Sequence, residues 1–237
     1  MHRSGSRPCA LVTGANKGIG REVARRLVQA GYSVWVAARD PSRGREAAQA
    51  LGPGARFVQL DVTDDSSIAA AVRVVCEAGG LDILVNNAGI NVADDAENPR
   101  EALAALFDVN VFGAVAVTYA FLPVLQRSPA PQIVNVSSDL GSFARATDPE
   151  SAYYALRLLG YPASKTALNM ATVQLAKRLE GTGVRVNAAN PGFTATDLNN
   201  HRGTQSIEEG AEVVVRVAMQ EEGPTGAFFE ANGEAQW

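Results

Sequence analysis

The apolar positions of this chain fall into short β-branched runs, separated by longer stretches with helical spacing, almost from end to end. Ala10-Leu11-Val12 reads as a strand, and Ile19 to Ala30, closed by Gly31, as a helix. Ser33 to Ala38 is a second strand, followed by a helix from Pro41 to Leu51 whose proline suits the first turn. The strand series continues with Arg56–Leu60, Leu81–Val85, Gln132–Val136 and Val184–Ala188. The helix series continues with Asp65–Glu77, Arg100–Leu125, Pro162–Leu179 and Ile207–Met219. Ala227-Phe228-Phe229 is a candidate for a last short strand.

Strands alternating with helices imply right-handed crossovers and a parallel sheet covered on both faces. No Pro/Gly/Ser linker or composition break divides the 237 residues. The expected fold is therefore α/β, a single doubly wound parallel sheet of Rossmann type with helices on both faces, forming one domain over 1–237. Ligands in such sheets bind beyond the carboxyl ends of the strands, where strand order reverses.

A hydrophobic content of 46% and a charged content of 19% suit a soluble globular protein. The net charge of -4 gives no reason to expect nucleic acid or an anionic membrane as a partner. Cys9, Cys76, His2 and His201 are too few for a disulfide framework or a zinc centre, so no metal is expected. The first residues are basic but lack the apolar stretch of a secretory signal, and no uninterrupted apolar run reaches about 18 residues. A cytoplasmic enzyme is the expectation.

Candidate chemistry lies at two places. The first strand runs into Thr13-Gly14-Ala15-Asn16-Lys17-Gly18-Ile19-Gly20 and then directly into a helix. Glycines let backbone approach a pyrophosphate, and a helix N-terminus offers unpaired N–H groups and a positive dipole end. The spacing Gly-x3-Gly-x-Gly departs from the common Gly-x-Gly-x2-Gly fingerprint. Farther on, Tyr161 and Lys165 stand four apart on a helix and share a face. An ordinary amphipathic face accounts for such a pair by itself. An ammonium beside a phenol also favours the phenolate and moves a pKa of about 10 towards the working range of acid–base catalysis.

Thr13-Gly14-x3-Gly18-Ile19-Gly20, Asn86-Asn87-Ala88-Gly89, Asn110, Ser138, Tyr161-x3-Lys165 and Pro191-Gly192 together resemble the short-chain dehydrogenase/reductase family. The motifs occur in the family's order and span nearly the whole chain. The resemblance implies a nicotinamide cofactor held at Gly14, Asn16, Lys17, Gly18, Ile19 and Gly20. Asp61 would contact the adenine amino group, with Val62 packing the ring. Asn87, Ala88 and Gly89 would approach the adenosine side, and Pro191, Gly192, Thr194 and Thr196 the nicotinamide carboxamide.

The same resemblance assigns catalysis to Asn110, Ser138, Tyr161 and Lys165. Ser138 rather than Ser137 is chosen because two residues and then Gly141 follow it, as in the family pattern. Its hydroxyl would hydrogen-bond the substrate carbonyl oxygen, and Tyr161 would donate the proton. Lys165 would lower the tyrosine pKa and hold the nicotinamide ribose, while Asn110 would anchor a water that feeds protons to Lys165.

Cofactor choice turns on the end of the second strand. Asp40 fits the count for a carboxylate on an NAD ribose. The family places that carboxylate one or two positions earlier, where Ala38-Arg39 stand. Arg39 offers a forked cation suited to a 2′-phosphate, with Lys17 in the phosphate turn, so NADP(H) is favoured. Arg43 is a further candidate, though a solvated helix position accounts for it as well.

Asn16-Lys17, Ala38-Arg39-Asp40, Ser42-Arg43-Gly44 and the tail from Gly223 to Trp237 resemble the carbonyl reductase branch in particular. Members of that branch reduce ketones, aldehydes and quinones with NADPH and commonly work as monomers, so a small-molecule carbonyl substrate and a monomer are expected. An insert, Ser142 to Gly160, separates Ser138 from Tyr161, and its Tyr153, Tyr154, Leu156, Leu158 and Leu159 make a short helix plausible. Asp139, Leu140 and Phe193 are the candidates for the substrate pocket, with core packing the competing fate of Leu140. Two other functions remain open: an alcohol or hydroxysteroid dehydrogenase working oxidatively, and a non-catalytic NADP(H)-binding sensor.

Overall fold

The computed structural model describes residues 7–92 and 98–237. His2 and the basic N-terminal residues up to Ser6 lie outside the described residues. The strands are β1 (Cys9–Thr13), β2 (Ser33–Ala38), β3 (Ala55–Gln59), β4 (Ile83–Asn86), β5 (Gln132–Val136), β6 (Arg185–Ala189), β7 (Phe228–Glu230) and β8 (Gly233–Ala235). They form one sheet in the order β3-β2-β1-β4-β5-β6-β7-β8. Neighbours from β3 to β7 are parallel, and β8 alone runs antiparallel, pairing Phe229 with Glu234. Strand order reverses between β1 and β4, which fixes the ligand crevice above Thr13 and Asn86.

Helices α1 (Gly18–Gln29), α2 (Pro41–Leu51) and α8 (Ile207–Ala218) cover one face, and α3 (Asp65–Glu77), α5 (Ala114–Leu125) and α7 (Gly160–Arg178) the other. Alternate residues of each strand serve opposite faces. Leu11 packs with Phe121, Ile133 and Leu175 on one side, while Ala10 and Val12 join Val23, Leu27 and Val214 on the other. Each fully buried valine, leucine, isoleucine or phenylalanine among them contributes about 1.5–3 kcal/mol.

Three elements depart from the sequence expectation. The stretch Arg100–Leu125 is not one α-helix. It comprises α4 (Pro99–Phe107), a π-helical turn over Asp108–Gly113, and α5. That turn buries Asn110, Val111 and Gly113 together, and a Cβ at Gly113 would lie 2.8 Å from Val62 Cγ2. By length and composition the whole run Pro99–Leu125 is apolar enough to cross a membrane. Its residues Val117, Phe121, Val124 and Leu125 are packed in the core beneath the sheet.

The insert holds only a short helix, α6 (Phe143–Thr147), at its beginning; the tyrosine-bearing part forms turns, and residues 156–159 have no regular structure. Asp148 precedes Pro149 and takes an extended conformation, because a proline disfavours helical backbone in the residue before it. Finally, β8 has too few apolar residues to show in the hydrophobic pattern. It exists because Gly233, at φ +123°, reverses the chain beside β7.

Candidate active site

The first loop above the crevice follows β1. Gly14 and Gly18 have φ of +63° and +57°, a left-handed backbone that side chains disfavour. The loop is pinned from β4. Thr13 Oγ1 accepts from the backbone N–H groups of Asn87 and Ala88, and Asn87 Nδ2 donates to Thr13 O at 2.8 Å. A Cβ at Gly20 would fall 2.3 Å from Asn87 Nδ2 and 2.9 Å from Gly14 O, so α1 is drawn hard against this loop. No side chain caps α1, and its first turn carries no acid. Its N–H groups therefore face the crevice, a cradle that fits a pyrophosphate. Gly20→Ala is expected to cost about 1–3 kcal/mol of stability through overpacking. It should also weaken dinucleotide binding, both effects being read by thermal unfolding with and without cofactor.

Beside this cradle lies a cavity of about 320 Å³ lined in part by Asn16, Lys17, Arg21, Arg43 and Glu46. Arg43 therefore belongs with Lys17 around one space, a grouping that helix periodicity does not reveal. Arg39 stands exposed at the end of β2, with its carbonyl accepting from Gln59 Nε2. Asp40 caps α2, accepting from Ser42 N at 2.9 Å and Arg43 N at 3.1 Å. These backbone hydrogen bonds, Arg43's first, hold its carboxyl below the ordinary range. Asp61 accepts from Thr63 N and Oγ1, while Val62 is buried against the π turn.

Lys17 Nζ reaches Asp197 Oδ2 at 2.6 Å, and His201 Nε2 meets the other oxygen of Asp197 at 2.9 Å. The ion pair is exposed and screened by solvent, so it adds little to stability. It nevertheless ties the glycine loop to the loop after β6, and 180 residues of separation hid it from sequence reading. In that second loop Gly192 has φ +70°, and Thr194 is buried with its hydroxyl donating to Pro191 O. Thr196 lies within reach of Gly18, a Cβ there falling 3.8 Å from Thr196 Cγ2.

The candidate catalytic residues gather over β4 and β5. Ser137 is buried and donates to Asn169 Oδ1 at 2.5 Å, whereas Ser138 is half-buried and hydrogen-bonds the Tyr161 hydroxyl. Lys165 is buried, donates from Nζ to Val136 O at 2.9 Å, and lies 5.7 Å from the centre of the Tyr161 ring. Asn110 accepts from Ile90 N at 2.8 Å and donates to Ile90 O and Ser164 Oγ. A Cβ at Gly89 would lie 3.3 Å from Asn110 Oδ1 and 3.7 Å from Lys165 Nζ, so the two polar groups converge on that glycine. The π turn presents Asn110 inward, a use such turns often serve.

The electrostatics differ from the simple pairing expected from the sequence. Burial pushes the Tyr161 phenol up to about 12, and the hydrogen bond from Ser138 opposes that shift. Burial brings the Lys165 ammonium down to about 8. Desolvation of the phenolate therefore sets the direction of the Tyr161 shift, while the Lys165 Nζ is turned to Val136 O.

The remaining candidates lie around the serine turn. Asp139 is buried and accepts from the Tyr153 hydroxyl at 2.8 Å, with Arg145 Nη1 2.7 Å from its Oδ1. Arg145 also pairs with Glu230 of β7. The carboxylate thus anchors the insert. Leu140 is half-buried, and Phe193 is 49% exposed.

A glycine-rich turn at the β1–β4 switch point, with a Ser–Tyr–Lys cluster over β5, accords with the matching family, "short chain dehydrogenase", which spans residues 8–207. The chain belongs to the short-chain dehydrogenase family. This family member is an oxidoreductase related to known reductases and dehydrogenases. It is 39% identical to "Short-chain dehydrogenase anuI" of Penicillium roqueforti, over 91% of this chain and 90% of that protein. It is 34% identical to the (+)-neomenthol dehydrogenase of Arabidopsis thaliana, covering 93% and 95% respectively. Among solved structures, the NADPH-bound carbonyl reductase from chicken fatty liver superposes with a TM-score of 0.85 at 29% identity, covering 98% of this chain and 100% of that one.

Proposed function

We propose that this short-chain dehydrogenase reduces the carbonyl group of a largely apolar ketone, aldehyde or quinone, using NADPH, with Tyr161 as general acid. The observation that carries the reading is the hydrogen bond between Tyr161 and Ser138, made beside buried Lys165 at the carboxyl end of β5. NADPH bound in the crevice supplies the hydride.

Ser138 donates a hydrogen bond to the carbonyl oxygen and stabilises the charge that develops there as the carbonyl carbon is reduced. The Tyr161 hydroxyl gives its proton to that oxygen, completing the alcohol. Lys165 holds the cofactor ribose and, with Asn110, returns a proton to the tyrosine. A phenol held near 12 is fully protonated at neutral pH, the state a proton donor needs. An intact Ser138–Tyr161–Lys165 cluster also favours an enzyme over a non-catalytic sensor.

For the cofactor, Lys17 and Arg43 line one cavity beside the glycine loop, Arg39 stands exposed just after β2, and the chicken carbonyl reductase this chain resembles is NADPH-bound. For the substrate, three apolar side chains near the site in sequence are exposed: Phe143 at the start of α6, Leu159 just before α7 and Phe193 just after Gly192. Exposed apolar side chains there favour an apolar carbonyl compound over a sugar phosphate. A relative named for neomenthol points the same way. The protein acts in the cytoplasm in this reading and as a monomer, its insert anchored through Arg145.

The test is NADPH consumption across a panel of cyclic ketones, aromatic ketones, quinones and charged sugar phosphates. Apolar carbonyls should be turned over with at least about tenfold higher kcat/KM, a difference of roughly 1.4 kcal/mol. A preference for the charged compounds removes the substrate assignment.

A further inference from the structure

The buried face of α7 is polar. Ser164, Lys165, Asn169 and Thr172 all lie on it, each no more than 4% exposed. Burying such groups is unfavourable unless every one finds a partner. Ser164 is held by Asn110, Lys165 by Val136 O, and Thr172 Oγ1 accepts from Asn135. Asn169 differs from these in what its partners flank. Its Oδ1 accepts from Ser137 Oγ at 2.5 Å, and its Nδ2 donates to Gly141 O at 3.0 Å. Ser138 stands between those two attachments.

The contact leaves little room for adjustment. A Cβ at Gly141 would fall 2.9 Å from the Lys165 carbonyl carbon and 3.0 Å from Asn169 Nδ2. The turn Asp139–Gly141 is therefore pressed flat on α7, with Ser138 as its N-cap, accepting from Leu140 N at 3.2 Å. Tyr161, Lys165 and Asn169 follow one another at intervals of four on the same helix, about one turn each. One helix thus carries the phenol at its start and the grip on the serine turn about two turns later.

We propose that Asn169 is a positioning residue: by holding Ser137 and Gly141 together against α7, it sets the Ser138 hydroxyl at hydrogen-bond distance from Tyr161. This rests on reading Ser138 and Tyr161 as the proton-donating pair. Loosening the turn weakens the hydrogen bond that favours the ionised phenol, so Tyr161 stays protonated to higher pH.

The experiment compares Asn169→Leu, Ser137→Ala and Thr172→Val with wild type in both reaction directions. Asn169→Leu should lower kcat roughly ten- to hundredfold, the scale set by misplacing a catalytic group by about 1 Å. The KM for NADPH should stay within about twofold, since uniform cofactor binding is not altered. The alkaline limb of alcohol oxidation, which needs the phenolate, should move to higher pH. Ser137→Ala removes one arm only and should move the limb in the same direction by less, which keeps the proposal testable if Asn169→Leu fails to fold. Thr172→Val loses a buried hydrogen bond on the same helix face but touches neither attachment, so it should lower thermal stability and leave the limb in place. The proposal fails if the limb is unmoved in Asn169→Leu and Ser137→Ala, or if Thr172→Val moves it equally. A Tyr161→Phe variant as active as wild type removes the underlying reading instead, a result separable from the first.

Discussion

Tyr161→Phe is expected to lower carbonyl reduction by about 10³-fold, within the range that general acid catalysis contributes. The substitution removes one oxygen and keeps the ring that Lys165 overlies at 5.7 Å, so packing and NADPH affinity should change little. Ser138 loses its partner and retains the hydrogen bond from Leu140 N. The pH dependence follows from the two shifted groups. Tyr161, pushed up to about 12 by burial, remains a competent proton donor throughout the neutral range. Lys165, brought down to about 8, is an ammonium below that pH and loses its charge above it. Reductive turnover should therefore be sustained at neutral pH and fall as pH rises through about 8, whereas alcohol oxidation should increase with alkalinity. Steady-state rates of wild type and Tyr161→Phe across that range, with cofactor binding measured separately by fluorescence, check both points. A phenylalanine variant retaining a tenth of wild-type turnover would eliminate Tyr161 as the acid.

The second large effect is on cofactor choice. Replacing Arg39 and Arg43 together by alanine should reduce kcat/KM with NADPH on the order of 10²-fold and leave NADH nearly unaffected. Each arginine can make a charge-assisted hydrogen bond worth about 1.5–3 kcal/mol, and about 1.4 kcal/mol is tenfold. Both side chains start exposed, which places the expectation at the low end of that sum. Arg43 shares its cavity with Lys17, while Lys17 is held by Asp197, so the arginines carry more of the discrimination than the lysine. Raising the salt concentration should narrow the NADPH preference of wild type, because exposed charges are screened. An equal loss with NADH and NADPH in the double variant, or equal efficiencies in wild type, overturns the assignment.

Much of the molecule was legible in the order of its residues. The strands β1 to β7 follow from apolar runs, and α2 and α3 begin and end where the pattern places them. The reason is physical: a parallel sheet buried on both faces needs continuous apolar strands, and its helices need one apolar stripe. The family motifs likewise identified the glycine loop and the Ser138, Tyr161 and Lys165 set as linear strings, and the described residues bring that set together.

Other features escaped the sequence because they depend on contacts across the fold. The π turn that buries Asn110 reads as uninterrupted helix, since one extra residue in a turn alters no composition. Asp139 looked free to line a pocket until Tyr153 and Arg145 were brought to it from the insert. Arg43 stays exposed, as its helix position suggested, but its place beside Lys17 around one space appears only once α2 is laid beside the glycine loop.

The sequence by itself determined the doubly wound sheet, the position of its crevice and the residue types that meet there, because periodicity and glycine placement are local properties. Only the tertiary structure decided the ionisation of those residues and the support behind them. Burial, not the adjacent lysine, governs the Tyr161 phenol, and Asn169 reaches the serine turn only once α7 lies along β5. Desolvation and hydrogen bonding between distant segments are properties of the packed chain, with no counterpart in the spacing of its residues.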